Sequence, residues 1–198
     1  MADRSAEEQA ARHDVATLRT HHWASARPHL RLRLVPSPSG APPRFRPVLE
    51  VGTALVAVDP AMTAAWGRVP DELHDRALAG AAAALTILHS VEVADGPAGG
   101  ARLTVAAGGA GTAALATEPG RIKGALPPGP PPTAWLACCP GDGVVAVAVP
   151  QRPTTAGFPE LARRLHLLVA GSGAAGAEAP VLRCWAGRRL AIFDHEGP

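Results

Sequence analysis

Four groups of residues have types that could do chemistry. Asp71, Glu72 and Asp75 lie close together, Cys138 and Cys139 are adjacent, Asp142 sits in a Pro-Gly-Asp-Gly turn, and Asp194-His195-Glu196 lies near the far end. A carboxylate pair could exchange protons, and a thiol beside a base could attack a substrate, but each needs a partner at a defined distance. None of these groups shows that pairing in the sequence. Asp71, Glu72 and Asp75 share a helix start, where the helix dipole already accounts for acidic side chains. Cys138 and Cys139 would alternate across a strand and read as small core hydrophobes. No Gly-x-Ser-x-Gly elbow occurs; Ser172 stands in Gly-Ser-Gly without a helix-forming stretch behind it. Gly108-Gly-Ala-Gly111 resembles a phosphate loop, but it joins predicted strands and lacks the Lys-Ser/Thr that follows one. The eight histidines contain no H-x-x-x-H or H-E-x-x-H, and no C-x-x-C occurs. His21 and His22 would diverge by about 100° on a helix. We therefore expect no metal and no cofactor.

The elements that must position any site are clearer. Asp59 to Ser90 reads as a short helix, a break at Trp66-Gly67 and a long helix. Asp59-Pro60 and Pro70-Asp71-Glu72 are start signals. An apolar stripe of Leu73, Ala77, Leu78, Ala81, Leu85 and Leu88 predicts that the long helix runs to Ser90. Before it, Ser5 to Ala24 reads as a helix opened by a Ser5/Glu8 capping box. His29 to Val35 alternates as a half-buried strand, and Pro47 to Val58 reads as one strand or two short ones. After it, Val91 to Ala94 and Arg102 to Ala106 read as strands, with Gly108 to Gly111 as a hairpin turn and Thr112 to Thr117 returning. The Pro127 to Pro132 run is an extended connection. Thr133 to Val149 is a hairpin of two continuous apolar runs, expected at the sheet centre. A helix over Phe158 to Val169 and a hairpin over Pro180 to Asp194, turned at Ala186-Gly187, complete the chain. The sum is an α+β fold: a mostly antiparallel sheet with about three helices packed on one face. We divide it into an N-terminal helical segment, residues 1–27, and one α+β domain, residues 28–198.

The chain has 198 residues, a net charge of +2, one lysine, no tyrosine and no asparagine. The scarcity of residues with AT-rich codons suggests a GC-rich bacterial genome. Many arginines then stand where another genome would encode lysine. So small and interspersed a charge argues against nucleic acid as partner. A nucleic-acid face would need Arg31, Arg33, Arg183, Arg188 and Arg189 on one surface. No long uncharged apolar run predicts a membrane span, and the polar N-terminal stretch does not read as a secretory signal. The expectation is a cytoplasmic protein without a disulfide framework.

One stretch bears a family resemblance. Asp59 to Ala81, with its Trp66-Gly67 break, Asp71-Glu72-Leu73 and Ala77, is similar to the middle of the bacterial YtpQ-like family; Gly80 stands where that family has an asparagine. Pro119-Gly120-Arg121-Ile122, the Pro140-x-Asp142-Gly143-Val144-Val145 hairpin, the closing helix and the Pro180 to Phe193 hairpin resemble its later part. The resemblance spans roughly residues 47–193 and implies a fold more than a function, because the family has no assigned activity.

Two function classes follow. One is a non-catalytic binding or accessory subunit that docks on a protein partner or on itself, using Trp66, Trp135, Trp185, Arg188 and Arg189. The other is an enzyme or enzyme subunit whose site joins the 140–143 turn, with Asp142, to Asp71 and Glu72 at the start of the 70–90 helix, with room for a histidine among them.

Overall fold

Leu30 and Leu32 alternate with Arg31 and Arg33, and both leucines are buried in strand β1 (Leu30–Val35). The computed structural model describes residues 22–35, 44–51, 54–93, 100–153, 155–173 and 179–193. The helix expected over Ser5 to Ala24 lies almost wholly outside them; a short helix α1 (Trp23–Ala26) is what is described there. Pro47 to Val58 resolves into two strands, β2 (Arg44–Val51) and β3 (Ala54–Ala57), which with β1 form an antiparallel sheet in the order β1-β2-β3.

Helix α2 (Pro60–Ala65) opens on Asp59, whose Oδ1 accepts the Met62 N–H at 2.8 Å. Helix α3 (Pro70–Ala83) buries Leu73, Ala77, Leu78 and Ala81 as the stripe predicts. It stops at Ala83, short of Ser90. Thr86 to Val93 is strand β4, antiparallel to β5 (Ala101–Ala107). Thr86, Ile87, Val91 and Val93 are β-branched and favour a strand once β5 offers an open edge, so tertiary pairing overrides the helical spacing of Leu85 and Leu88.

The larger sheet has six strands in the order β4-β5-β7-β6-β8-β9, every neighbouring pair antiparallel, with β6 (Ala134–Gly141), β7 (Val144–Pro150), β8 (Val181–Trp185) and β9 (Arg189–Ile192). The apolar hairpin β6–β7 is central, and both its faces are covered. Trp135, Ala137, Cys139, Val145, Val147 and Val149 meet α3 and the smaller sheet. Leu136, Cys138, Ala146 and Ala148 meet helix α4 (Phe158–Gly171) through Phe158, Leu161, Leu165 and Val169. Helices therefore lie on both faces, not on one, which corrects the expected layering while leaving the fold α+β. Cys138 and Cys139 do point to opposite faces. Burial pushes the Cys138 thiol up to about 11, and raises Cys139 and Cys184 as well, so all three stay protonated and inert at neutral pH.

Thr112 to Thr117 is not a returning strand. It is a 3₁₀ helix, buried at every residue. The sheet order gives the reason: β5 and β7 are each already paired on both edges, so no edge is open to this segment. Its backbone turns on itself, and its threonines satisfy nearby carbonyls. Thr112 Oγ1 donates to Gly109 O and Thr117 Oγ1 to Ala114 O, both at 2.8 Å.

Candidate functional site

Three elements converge at one end of the sheet. On α3, Asp71, His74 and Asp75 sit three and four residues apart and share a face. The 3₁₀ helix ends in Thr117, and a second short one, Pro119–Arg121, places Glu118 and Arg121 beside it. The turn between β8 and β9, Ala186-Gly187-Arg188, supplies Arg188. Gly187 and Arg188 both have positive φ, 83° and 63°. For arginine that conformation costs about 1–2 kcal/mol, so contacts must hold it.

They do. Arg188 Nε and Nη2 donate to Glu118 Oε1 at 2.9 Å, Nη2 also donates to Asp75 Oδ1, and Nη1 stands 3.7 Å from Asp71 Oδ1. Arg121 Nε donates to Glu118 Oε2 at 2.5 Å, and its Nη2 lies 3.5 Å from Asp75 Oδ1. Glu118 is thus clamped between two guanidinium groups. Burial alone would raise its pKa, but the bonds and charges of Arg121 and Arg188 outweigh that and lower it. Under this network lies His74, whose Nε2 is buried without a hydrogen-bond partner. Burial, helped by Arg188, lowers the His74 pKa against the opposing pull of Glu118, Asp75 and Asp71.

Two open clefts flank Arg188 and meet at Thr117 and Arg188. The first, about 490 Å³, is lined by Phe45, His74 and Leu190, with Arg44, Trp185 and Arg189. The second, about 470 Å³, runs between Pro119, Leu126, Pro131, Pro132 and Trp135. The Trp135 indole N–H donates to Ala116 O at 2.7 Å, tying the floor of the second cleft to the segment that carries Glu118.

Of the residues picked from sequence, Asp71, Trp185, Arg188 and Arg189 come together here. The others do not. Trp66 is core, its ring 5.6 Å from that of Trp23. Glu72 sits at the helix start, 3.6 Å from Arg68. Asp142 pairs with Arg33 at 3.6 Å. The 140–143 turn also faces the wrong end of α3. Gly143 O accepts the Gly108 N–H, and Gly108 abuts Ala84 at the helix C-terminus. The start of α3 instead meets Arg188, beyond the far end of β6, whose eight residues span about 23 Å. The fold therefore separates Asp142 from Asp71 and Glu72. The arginines of the nucleic-acid reading are likewise dispersed: Arg31 pairs with Glu50 at 3.0 Å, and Arg183 stacks over Phe158 and Trp185. His74, Glu118, Arg121 and Arg44 were missed, and Asp75 was read only as a helix-start acid. Only the helical spacing of Asp71, His74 and Asp75 and the i, i+3 pair Glu118/Arg121 could have signalled them.

The network sets two guanidinium groups against three carboxylates, leaving Asp71 only loosely paired, and it holds a surface in place. Among the described residues no group of three or more His, Cys, Asp or Glu could hold a metal ion, and no helix is long and apolar enough to cross a membrane. No family model, curated protein or solved structure matches the chain.

Two predictions arise here. Arg188→Ala should cost about 1–2 kcal/mol, after discounting for the solvent that reaches Asp75. Arg188→Gly should lose about 1 kcal/mol less, because glycine accepts the positive φ that alanine resists; denaturant melts that rank alanine above glycine contradict this. The second concerns pH. His74 and Glu118 both titrate lower in the folded chain than their ordinary 6.5 and 4.5. Their stabilisation is whole above those values and is lost as pH falls, first below 6.5 and then below 4.5. His74→Gln should remove the upper step of a stability-against-pH profile, and Glu118→Gln the lower.

Proposed function

We propose that this protein is a non-catalytic binding or accessory subunit that engages a partner protein across the β8–β9 turn. The observation that supports it is the pair of open clefts meeting at a fixed arginine. Arg188 is held by carboxylates from two other elements, so the ridge between the clefts is preorganised, which lowers the entropy lost on docking. Open clefts with proline and aromatic walls suit an extended chain better than an enclosed small molecule. The resemblance to the YtpQ-like family belongs to the same proposal. So does the cytoplasmic setting in which such a subunit would work.

The test is capture of the tagged protein from lysate of its own organism in parallel with two variants. A stoichiometric partner should be retained by wild type and by the distant Arg33→Glu, and lost with Trp185→Ala/Arg189→Glu. Equal retention by all three would remove the clefts from the account.

Self-association has separate support. Strand β4 is a sheet edge, and Ile87, Leu88 and Val91 on it are 37%, 41% and 47% exposed. It carries no lysine, arginine or proline to block pairing, and its Glu92 is taken up by Arg102. A second copy could extend the sheet there. Light scattering should show a concentration-dependent dimer that Val91→Lys weakens about tenfold; a monomer at every concentration contradicts it.

A further inference from the structure

The first cleft has an uneven charge pattern. The acids nearest its Arg188 wall, Glu118 and Asp75, do not line it and are consumed by Arg188 and Arg121. At its rim, Arg44 opens β2 and Arg189 opens β9; both are exposed, and neither has a carboxylate within ion-pair distance among the described residues. The walls below them, Phe45 and Leu190, are half-buried and rest on the core. His74 lines the cleft beside Thr117 and Arg188, with its Nε2 buried and unpartnered. Asp71, outside both cleft linings, is 92% exposed and only loosely paired, so an acidic ligand is repelled from the start of α3 and drawn toward the rim arginines.

We infer that the partner segment is an extended acidic peptide, with a large apolar side chain in the first cleft and an adjacent Asp or Glu on Arg44 and Arg189. This rests on the reading that the clefts form the docking face, and it adds the chemistry of the occupant. The apolar side chain lies between Phe45 and Leu190. The next part of the peptide crosses the Arg188 ridge and places a second apolar side chain among Leu126, Pro131 and Trp135. Arginine suits the rim because its planar fork takes a carboxylate through two parallel bonds.

The experiment is selection of a phage-displayed random linear peptide library against the full chain, followed by titration of the selected peptides. Peptides carrying an acid next to a large apolar residue should be enriched. They should bind Arg44→Glu/Arg189→Glu at least about tenfold more weakly, and that loss should be reversed when the peptide acid is changed to arginine. Both substitutions are at exposed positions, and circular dichroism melts verify the fold of the variant. Pro131→Glu, in the second cleft, should weaken the same peptides without any charge-swap rescue. Peptides that lack acids and bind the double variant unchanged, yet lose affinity with Pro131→Glu, overturn the inference and leave the docking face standing. If no selected peptide responds to either variant, both fail.

Discussion

Trp135→Ala should destabilise the protein by about 3–5 kcal/mol, the range for emptying a buried indole site. Trp135 is 3% exposed and central in the sheet, with Ala134 and Leu136 covered on the other face. A domain of this size is stable by only about 5–15 kcal/mol, so one substitution removes much of the margin. Trp135→Phe separates two components. Phenylalanine keeps most of the apolar contact but leaves Ala116 O without the indole N–H, which should cost about 1–3 kcal/mol. It should also loosen the segment carrying Thr117 and Glu118. Amide exchange there should speed up in the Phe variant before the sheet does. Equal protection in both proteins would mean that the indole bond does not anchor the cleft.

Gly111→Ala should cost about 2–4 kcal/mol, combining a left-handed backbone with overpacking. Gly111 has φ 87°, and a Cβ there would come within 3.2 Å of both Leu32 N and Leu32 O. Those atoms belong to strand β1 and cannot yield as a flexible side-chain tip would. The Gly108 to Gly111 stretch, which resembles a phosphate loop on paper, is therefore a close-approach device that lets the 3₁₀ helix dock against the smaller sheet. A substitution at Gly109, where a Cβ would meet nothing within 4 Å, should be nearly neutral. Chemical denaturation of the two variants checks the contrast; equal losses would contradict it.

These two residues also show what the sequence could reveal. The β6–β7 hairpin was readable because two unbroken apolar runs flank a turn, and only a strand pair covered on both faces needs that pattern. The helix starts were readable from Asp59-Pro60 and Pro70-Asp71-Glu72, since capping is a local interaction. The end of α3 was not. Leu85 and Leu88 fit a helical stripe, and the choice of strand depended on an open edge at β5, which is far away in sequence. Thr112 to Thr117 failed for the same reason in reverse, because the order β5-β7-β6 leaves that segment nothing to pair with. Asp71, Trp185, Arg188 and Arg189 were nominated for their residue types; the fold brings the last three to one cleft and sets Asp71 3.7 Å from Arg188. Glu118, which organises Arg188 and Arg121, looks in sequence like any surface acid before a Pro-Gly turn. Its role is set by a partner 70 positions away. Asp142 failed because sequence gives no direction for α3 relative to the hairpin.

The most direct test of the docking face is a photocrosslinker carried in place of Arg189 and, separately, in place of Arg33, each irradiated in lysate of the source organism. The account predicts one protein crosslinked from position 189 and absent from position 33, with the attached peptide extended, acidic and apolar. Crosslinks of equal yield from both positions, or none from position 189 while the partner is still captured, would contradict it.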